Sequence, residues 1–450
     1  MRIPESPPSL SKALLDVGPD RLMALLQQAS QLPNGRYLHW DELRRRPEPQ
    51  GLSHEEWWLA ISFQRNSLRQ PLPLLDKAGK PFVLALPSQL LIDLHHIDRD
   101  AAGRIRSSSG KPPAEDSQRY LIGSLIEEAI TSSQLEGAAT TRKVAGAMLR
   151  SGRKPHDQHE RMIFNNFRAM EHLRSMRNVQ LTPEHVLELH RILTEDTLDD
   201  PLDAGRLRLS DTIQVVDTRD NSVLHVPPTH TELDQRLQRL CDFANADEDS
   251  QPFVHPVLRA ILLHFMIGYD HPCVDGNGRT ARALFYWAMA RSGYWLMEYT
   301  SISHILRKAP ARYMKAYLHT ETDSNDTTYF LLHQLKTMRK AIAALHEYVA
   351  RKSQEQKDTE RLLAASSSLR GRFNHRQVAL LTHALRNTGE AYRVDAHQRS
   401  HNVVYQTARN DLLDLEGLGL LEKTKQGNAF LFFAPADLRD RLLSLSRKTP

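Results

Sequence analysis

The chain has 450 residues, of which 40% are hydrophobic and 25% are charged, with a formal net charge of +5. This length allows two or three domains, each with its own core, and the composition is that of an ordinary globular protein. No apolar stretch approaches the length that spans a bilayer and no apolar signal segment opens the chain, so we expect a soluble, cytoplasmic protein without a membrane partner. Two cysteines, Cys241 and Cys273, exclude a disulfide framework, and no Cys/His spacing resembles a zinc site.

Residues 1–105 are predicted to form a helical module interrupted by prolines. Ser53 and Glu56 precede an apolar run at capping-box spacing and predict the start of a helix. The segment Leu74–Leu84, with a turn sequence at its centre, predicts a short hairpin. The module lacks convergent polar groups, which favours a role in packing and in positioning a partner.

A polar, proline-containing run at 106–113 is typical of a linker, and the helical periodicity that follows predicts a helix over about 121–137. The end of this helix reads Ser-Ser-Gln-Leu-Glu-Gly. It places the Ser132 hydroxyl one turn before the Glu136 carboxylate, and Gly137 can end the helix. Taken alone, this pattern favours an exposed helix end.

The central part of the chain is predicted to be helical with one hairpin. Residues 162–176 and 183–196 have the periodicity of core helices. The segments Ile213–Asp217 and Val223–Val226 flank a polar turn and predict two paired strands. From the residues alone this is either an ordinary surface hairpin or an edge that can pair with another chain.

The most informative stretch is His271–Arg282, which reads His-Pro-Cys-Val-Asp-Gly-Asn-Gly-Arg-Thr-Ala-Arg and joins two helices with buried periodicity. Gly276 and Gly278 free the backbone, so that consecutive N–H groups can point at an anion where the second helix begins. Arg279 and Arg282 share one face of that first turn, where two cations oppose the helix dipole, and this favours an anionic partner such as phosphate.

Two further side chains of this loop suggest catalysis. Asp275 offers the hard oxygen that suits Mg²⁺. His271 titrates near neutrality and can take a proton from a hydroxyl. The alternative is a simple turn between helices with solvated side chains, which the combination of these residue types in one short loop disfavours.

The C-terminal part is predicted to be a separate domain over residues 360–450, after a polar boundary at Gln354–Glu360. Residues 376–385 predict one helix, and Ser400 is a candidate N-cap for a second helix that continues to Leu415. A hairpin is then predicted over residues 420–433. This order of helix, helix and wing is that of a winged helix.

This C-terminal segment also carries the positive charge. It contains fourteen Lys/Arg and nine Asp/Glu residues and therefore holds the whole excess of the chain. Any affinity for DNA is expected here, with Arg399, His401 and Arg409 near the second helix. A role in docking a protein or in dimerisation is equally compatible with the sequence.

The loop His271–Arg282 resembles the signature of the Fic family, His-x-Phe-x-Asp/Glu-Gly-Asn-Gly-Arg-x-x-Arg, and departs from it only at Cys273. Phe normally packs beneath the loop, so the smaller thiol is expected to loosen His271. The resemblance implies a mainly α-helical core over residues 106–350 with a small β-hairpin flap, and transfer of AMP from ATP with the help of Mg²⁺. The implied roles are His271 as base, Asp275 as metal ligand, and Gly276, Asn277, Gly278, Arg279 and Arg282 as the nucleotide and phosphate site.

The helix end at 132–137 resembles the inhibitory motif of the same family, Ser/Thr-x-x-x-Glu-Gly, placed N-terminal to the core. The resemblance implies that Glu136 pairs with Arg282 and blocks the γ-phosphate position, with Ser132 as local support and Gly137 completing the motif. It also implies that the hairpin holds the target segment by strand pairing, and that the C-terminal domain is a winged-helix appendage.

Together these features predict an autoinhibited protein adenylyltransferase that modifies a Ser, Thr or Tyr hydroxyl of a target protein or of itself and releases pyrophosphate. A homodimer is compatible with the sequence. Two alternatives remain at this stage. One is a DNA-binding transcriptional regulator whose core senses nucleotide, and the other is a bifunctional enzyme that also removes AMP.

Overall fold

The computed structural model describes residues 2–11, 14, 17–28, 36–102, 114–217, 219–247, 249–364, 371–385, 387, 390–426 and 429–445. The predicted linker at 106–113 therefore lies outside the described residues. The described chain is mainly helical, with small antiparallel sheets. Among these residues, no helix combines the length and apolarity that a bilayer crossing needs.

The chain forms two compact units. The first comprises residues 1–104, 127–140 and 155–342, and the second comprises residues 105–126, 141–154 and 343–450. The division into segments 1–105, 106–350 and 360–450 remains a prediction.

The N-terminal part of the first unit contains the predicted hairpin and the predicted helix start. Ser53 Oγ accepts a hydrogen bond from the Glu56 N–H at 3.2 Å, and Glu56 Oε2 accepts one from the Ser53 N–H at 3.0 Å, so the capping box is confirmed. The elements are α1 (Pro19–Gln28), α2 (Trp40–Leu43), α3 (His54–Leu68), β1 (Arg69–Leu75), β2 (Pro81–Ala85) and α4 (Ser88–Ala101).

The central elements confirm the helices predicted over 162–176 and 183–196 and the hairpin to within a few residues, whereas the helix predicted over about 121–137 begins earlier, at Ala114, and ends at Leu135. Strands β3 and β4 are shorter than predicted and pair antiparallel, with Val215 opposite His225. In chain order the elements are α5 (Ala114–Leu135), α6 (Arg142–Ser151), α7 (Gln158–Ser175), α8 (Pro183–Thr194), β3 (Val215–Val216), β4 (Val223–His225), α9 (Leu233–Asn245), α10 (Pro256–Asp270), α11 (Asn277–Arg291), α12 (Ile302–Arg307), α13 (Pro310–Thr322) and α14 (Thr328–Ala364).

Helices α10 and α11 form the centre of the first unit and pack against each other. Both are buried on nearly every face, which is the pattern of helices enclosed by others. Leu263 and Phe265 of α10 and Leu284 of α11 are fully buried. Because rigid, packed helices flank it, the loop between them has fixed ends.

The second unit has its own apolar core, which includes Leu381, Leu412, Leu420 and Phe432. Its sheet has the order β5-β7-β6, and all pairs are antiparallel. The elements are α15 (His375–Ala384), β5 (Ala391–Arg393), α16 (Val394–His401), α17 (Tyr405–Gly417), β6 (Glu422–Gln426), β7 (Ala429–Phe433) and α18 (Leu438–Leu445).

One prediction in this unit is wrong. Ser400 does not cap the helix that continues to Leu415, because it lies inside α16, a helix that the sequence analysis missed. Asn402 has a left-handed conformation with φ 50° and ends α16, and Val404 is the N-cap of α17. A left-handed Asn is a common helix terminator, so the break follows from the local sequence.

Candidate functional site

The loop between α10 and α11 is bracketed by two residues with positive φ. His271 has φ 46° and ψ 55°, and its N–H donates to the Ile267 carbonyl at 3.1 Å at the end of α10. Gly276 has φ 83° and is the N-cap of α11. A left-handed conformation costs roughly 1–2 kcal/mol at a residue with a side chain, and such strain clusters at functional sites. His271 is therefore held where an unconstrained His would rarely lie.

Side chains from inside and outside the loop fix its shape. Asn277 Oδ1 accepts from the Cys273 N–H at 2.9 Å, and Asn277 Nδ2 donates to the Cys273 carbonyl at 2.8 Å. Arg208 Nε donates to the His271 carbonyl at 3.0 Å, and the Arg208 N–H donates to the Pro272 carbonyl at 2.9 Å. The Asn277 side chain is thus used within the loop, so the group of Asn277 that can bind a phosphate is its backbone N–H.

His190 is a further support that the sequence analysis missed. Its Nδ1 accepts from the Gly205 N–H at 3.0 Å, so the proton lies on Nε2, which donates to the Asp275 carbonyl at 2.7 Å. Burial lowers the pKa of His190, which keeps this neutral form. A Cβ at Gly276 would lie 2.6 Å from Thr194 Cγ2, so the close approach of the loop to α8 requires glycine.

The His271 ring is oriented for proton acceptance. Its Nδ1 faces the Gly268 carbonyl at 3.3 Å, and a carbonyl can only accept, so Nδ1 carries the proton and Nε2 keeps a free lone pair. Burial lowers the pKa of His271, with smaller contributions from the neighbouring carbonyl and charges. The imidazole is consequently neutral at pH 7, as a general base must be.

The two sequence motifs meet at Arg282. Its Nη2 donates to Glu136 Oε1 at 2.8 Å and to the Ser132 carbonyl at 3.1 Å, and its Nε donates to Ser132 Oγ at 2.9 Å. Arg282 is 2% exposed, while the Glu136 side chain keeps 25% exposure. The contact that the resemblance implied between these motifs is present in the structure.

The position of Glu136 depends on how α5 ends. The Ala138 N–H donates to the Ser133 carbonyl at 3.0 Å, and the Gly137 N–H donates to the Gln134 carbonyl at 3.3 Å. Gly137 has φ 93°, and this pair of bonds around a left-handed glycine is the Schellman motif. The chain therefore turns away directly after Glu136 and leaves its side chain pointing at Arg282.

Gly278 provides the space that the Glu136 carboxylate occupies. A Cβ at Gly278 would lie 2.2 Å from Glu136 Oε1 and 3.1 Å from Arg282 Nη1. Gly278 belongs to the first turn of α11, and the N-cap of this helix is Gly276, which has no side chain with which to satisfy the first N–H groups. The carboxylate thus lies at a helix N-terminus, where an anion is favoured.

Arg279 differs from Arg282 in its surroundings. It is 1% exposed, its Nη1 donates to the Leu193 carbonyl at 3.0 Å, and its Nη2 lies 3.4 Å from Asp275 Oδ2. In this arrangement Arg279 caps the last turn of α8 and faces Asp275. It makes no direct pair with Arg282 or Glu136 among the contacts that the structure describes, so its assignment to the outer phosphates remains a prediction.

Asp275 suits a magnesium ligand in both exposure and partners. Its side chain is 58% exposed, and its contact with Arg279 is long. Magnesium usually takes one or two carboxylates together with substrate phosphates and water, so a single accessible carboxylate beside a phosphate site fits the ion. Within the described residues no group of three or more His, Cys, Asp or Glu side chains forms a complete metal cage.

Cys273 lies inward beneath the loop. It is 3% exposed, and burial raises the pKa of its thiol to about 12. Asn277 and Arg208 hold the loop through backbone groups, and these contacts do not depend on the side chain at position 273. The expected loosening of His271 by the smaller thiol therefore remains a prediction, with the observed contacts acting against it.

The β3–β4 hairpin is joined through His225 to the end of α10, directly before the loop. His225 Nε2 lies 2.7 Å from the Tyr269 carbonyl, and Nδ1 lies 2.7 Å from Glu321 Oε2. Val216 and Val223 keep 38% and 40% exposure. The hairpin therefore presents an apolar, partly exposed surface at a fixed position relative to the residues before His271.

Comparison with known proteins finds relatives for the part of the chain that contains this loop. Residues 180–289 match the model of the Fic/DOC family. A protein adenylyltransferase Fic of Drosophila willistoni is 30% identical over 161 residues, which covers 35% of this chain and 29% of that protein. The protein of the same name from Drosophila melanogaster is 28% identical over 205 residues, which covers 44% of this chain and 37% of that protein. The chain thus spans about a third of the length of these curated relatives.

Among solved structures, the chain matches a Fic family protein from Desulfovibrio desulfuricans G20. It is 17% identical with a TM-score of 0.49, and the match covers 78% of this chain and 97% of that chain. Fic-1 of C. elegans is 18% identical with a TM-score of 0.47, and the match covers 76% of this chain and 92% of that chain.

Proposed function

We propose that this chain is an autoinhibited protein adenylyltransferase, which transfers AMP from ATP to a Ser, Thr or Tyr hydroxyl of a protein. The observation that carries the proposal is the convergence of a neutral, oriented His271 and the buried Arg282 on the N-terminus of α11. The match of residues 180–289 to the Fic/DOC family and the names of the curated relatives support the same reaction.

In the proposed reaction His271 Nε2 takes the proton of the target hydroxyl. The hydroxyl oxygen attacks the α-phosphorus of ATP, a phosphorus–oxygen bond forms to the target, and the bond to the bridging oxygen of the β-phosphate breaks. Pyrophosphate leaves, and His271 returns its proton to solvent or to the leaving group. The left-handed backbone and the Gly268 carbonyl hold the ring in the orientation that this transfer needs.

The phosphates would lie against the N–H groups of the first turn of α11, at Asn277 and Gly278, with Arg282 on the outer phosphate. Asp275 would hold Mg²⁺, which when bound neutralises phosphate charge. The target segment would pair with the exposed edge of the β3–β4 hairpin.

In this proposal autoinhibition arises because Glu136 and the γ-phosphate of ATP compete for Arg282. The Glu136 carboxylate occupies the space beside Gly278 and uses Arg282 Nη2 at 2.8 Å. A γ-phosphate would need the same guanidinium. ATP in the reactive pose therefore requires Glu136 to leave, which makes the Glu136–Arg282 pair the switch of the enzyme.

The test of the function is the variant His271→Ala, made in the Glu136→Gly background in which the inhibitory carboxylate is absent. We expect it to lose labelling of protein from ATP that carries label on the α-phosphate, because no other group takes the hydroxyl proton, while ATP binding persists because other groups hold the phosphates. Binding is measured by calorimetry and labelling by gel autoradiography, with Glu136→Gly as the active reference. A fully active alanine variant would remove His271 from its proposed role.

For the second unit we propose a winged-helix arrangement with duplex DNA as a partner. The described part of helix α17 exposes Gln406, Arg409 and Asn410, which are side chains that can read base edges. His401 is buried, however, and Arg399, although exposed, is engaged by a hydrogen bond from its Nη2 to the Ser151 carbonyl at 2.5 Å and by an ion pair with Asp395, so the proposal rests on the exposed Arg409.

We expect the full chain to shift a random duplex at low salt, with an affinity that falls steeply as salt rises. Arg409→Ala should weaken this shift, whereas Arg21→Ala, which removes a cation of the first unit that is paired with Glu56, serves as the control. The absence of any shift at low salt would favour a protein-docking role for this unit.

A further inference from the structure

A second carboxylate of helix α5, Glu128, lies two turns before Glu136 and has no role in the proposed reaction. Glu128 is 2% exposed. Its Oε2 accepts from Ser301 Oγ at 2.8 Å and from the Ser303 N–H at 3.2 Å, and its Oε1 accepts from Ser303 Oγ. A buried carboxylate is stable only when donors surround it, so this cluster fixes α5 to the start of α12.

The same helix face carries the contacts of Arg282. Glu128, Ser132 and Glu136 are spaced by four residues, so their side chains follow one another along the face. Next to this row, Ser133 Oγ donates to the Met162 carbonyl at 3.1 Å. Of the contacts that hold the helix up to Ser133, those of Ser132 involve Arg282, whereas those of Glu128 and Ser133 lie outside the nucleotide site.

The last turn is held differently. The Glu136 side chain is a quarter exposed and has Arg282 as its side-chain partner in the described structure, whereas Ser132 and Ser133 are fully buried. Beyond it the chain is tied back by Gln134 Nε2, which donates to the Thr140 carbonyl at 2.9 Å. Apart from the Glu136–Arg282 pair, the buried side-chain contacts described here between the helix and neighbouring helices thus end at Ser133, one turn before the inhibitory carboxylate.

We propose that Glu128, with Ser301 and Ser303, is the anchor of the inhibitory helix, so that Glu136 releases Arg282 by opening of the last turn, Gln134–Gly137, while the rest of the helix stays in place. Glu128 is in this view a positioning residue, because it acts on the nucleotide site through the helix. This inference rests on the proposed function, since it explains how the proposed inhibition is relieved.

Hydrogen exchange tests where the helix opens. The full chain is compared without ligand and with Mg²⁺ and an ATP analogue whose α,β-bridging oxygen is a methylene group. We expect faster exchange at the amides of Glu136, Gly137 and Ala138, which close the last turn, and unchanged protection from Glu128 to Ser132. Faster exchange along the whole segment, or no change at the last turn, would overturn the proposal.

Activity tests the anchor separately. We expect Glu128→Gln to raise AMP transfer about tenfold over wild type, the ratio that corresponds to ~1.4 kcal/mol, because an amide cannot accept all three donated bonds. In the Glu136→Gly background the same change should alter activity by less than about twofold, because no inhibitory carboxylate is left to position. Ser303→Ala, which keeps the Glu128 carboxylate, should also raise AMP transfer, and it replaces Glu128→Gln as the test if that variant folds poorly.

The matched control is Asp93→Asn. Asp93 is a buried carboxylate that accepts from Gln89 and Arg339, and its replacement should leave AMP transfer at the wild-type level. Activity of Glu128→Gln and Ser303→Ala equal to wild type, or lowered in both backgrounds, would overturn the anchor. If Glu136→Gly transfers no AMP, the proposed function fails, and the exchange pattern still decides whether Glu128 anchors the helix.

Discussion

Replacing Glu136 by glycine is expected to switch the enzyme on. Glu136 makes one charge-assisted hydrogen bond to Arg282 at 2.8 Å. A hydrogen bond to a charged group contributes about 1.5–3 kcal/mol net, which corresponds to a roughly 10-fold to 150-fold change in the population that can accept ATP in the reactive pose. We expect AMP transfer to rise within this range.

Stability should move in the opposite direction in the absence of nucleotide. Arg282 is buried and would lose its carboxylate partner, although Ser132 still accepts from it twice. Loss of one partner of a buried pair costs about 3–5 kcal/mol, and the partial exposure of Glu136 reduces this to about 1–2 kcal/mol. Mg²⁺ and ATP should restore more stability in the variant than in wild type, since the phosphate replaces the carboxylate.

The assay compares labelling from α-labelled ATP and urea unfolding with and without nucleotide in wild type, Glu136→Gly, Glu136→Gln and Glu136→Gly/Arg282→Ala. Glu136→Gln keeps the shape and removes the charge, so its activity should lie between those of wild type and the glycine variant. Equal labelling by wild type and Glu136→Gly would refute the inhibitory assignment, and full activity of the double variant would show that Arg282 does not position ATP.

Two further predictions concern backbone and protonation. Gly137→Ala should cost roughly 1–2 kcal/mol of stability through backbone strain at φ 93°, although no neighbouring atom lies within 4 Å of the added Cβ, and it should raise activity because the end of α5 positions Glu136. The control Gly293→Ala, at φ 83° and equally unhindered, should cost similar stability without raising activity. Activation by both variants would refute the reasoning. Burial lowers the pKa of His39 to about 2 and that of His319 to about 4. Below a pH of about 6.5 these two histidines are therefore protonated in the unfolded chain before they are protonated in the folded chain. The free energy of unfolding should then decline by up to ~1.4 kcal/mol per pH unit for each residue. Urea unfolding at pH 7.5 and 5.0 should show a smaller decline in His39→Gln, and an unchanged decline would contradict the assignment.

The contact between Glu136 and Arg282 could be predicted because each of the two motifs that contain these residues is contiguous in the sequence. The fixed order of His271, Asp275, the two glycines and the two arginines in the loop His271–Arg282 limits the geometry that the loop can adopt. The end of α5 could be predicted likewise, because Gly137 marks it and the local spacing aligns Ser132 with Glu136.

The supports of the site could not be predicted in the same way. His190 and the Asp275 carbonyl are separated by 85 residues, and Glu128 and Ser303 by 175 residues, so no local pattern connects them. The misplaced cap at Ser400 has a local cause, because the apolar spacing used for the prediction is that of α17, which begins only at Tyr405, and it gives no sign of the preceding helix that ends at Asn402.

The most direct test of the central claim is to incubate purified Glu136→Gly chain and a protein mixture with Mg²⁺ and ATP labelled on either the α-phosphate or the γ-phosphate. The account predicts that protein acquires the α-label, that the γ-label is released as pyrophosphate, and that wild type shows much less transfer. Incorporation of the γ-label, or no incorporation of either label by Glu136→Gly, would contradict it.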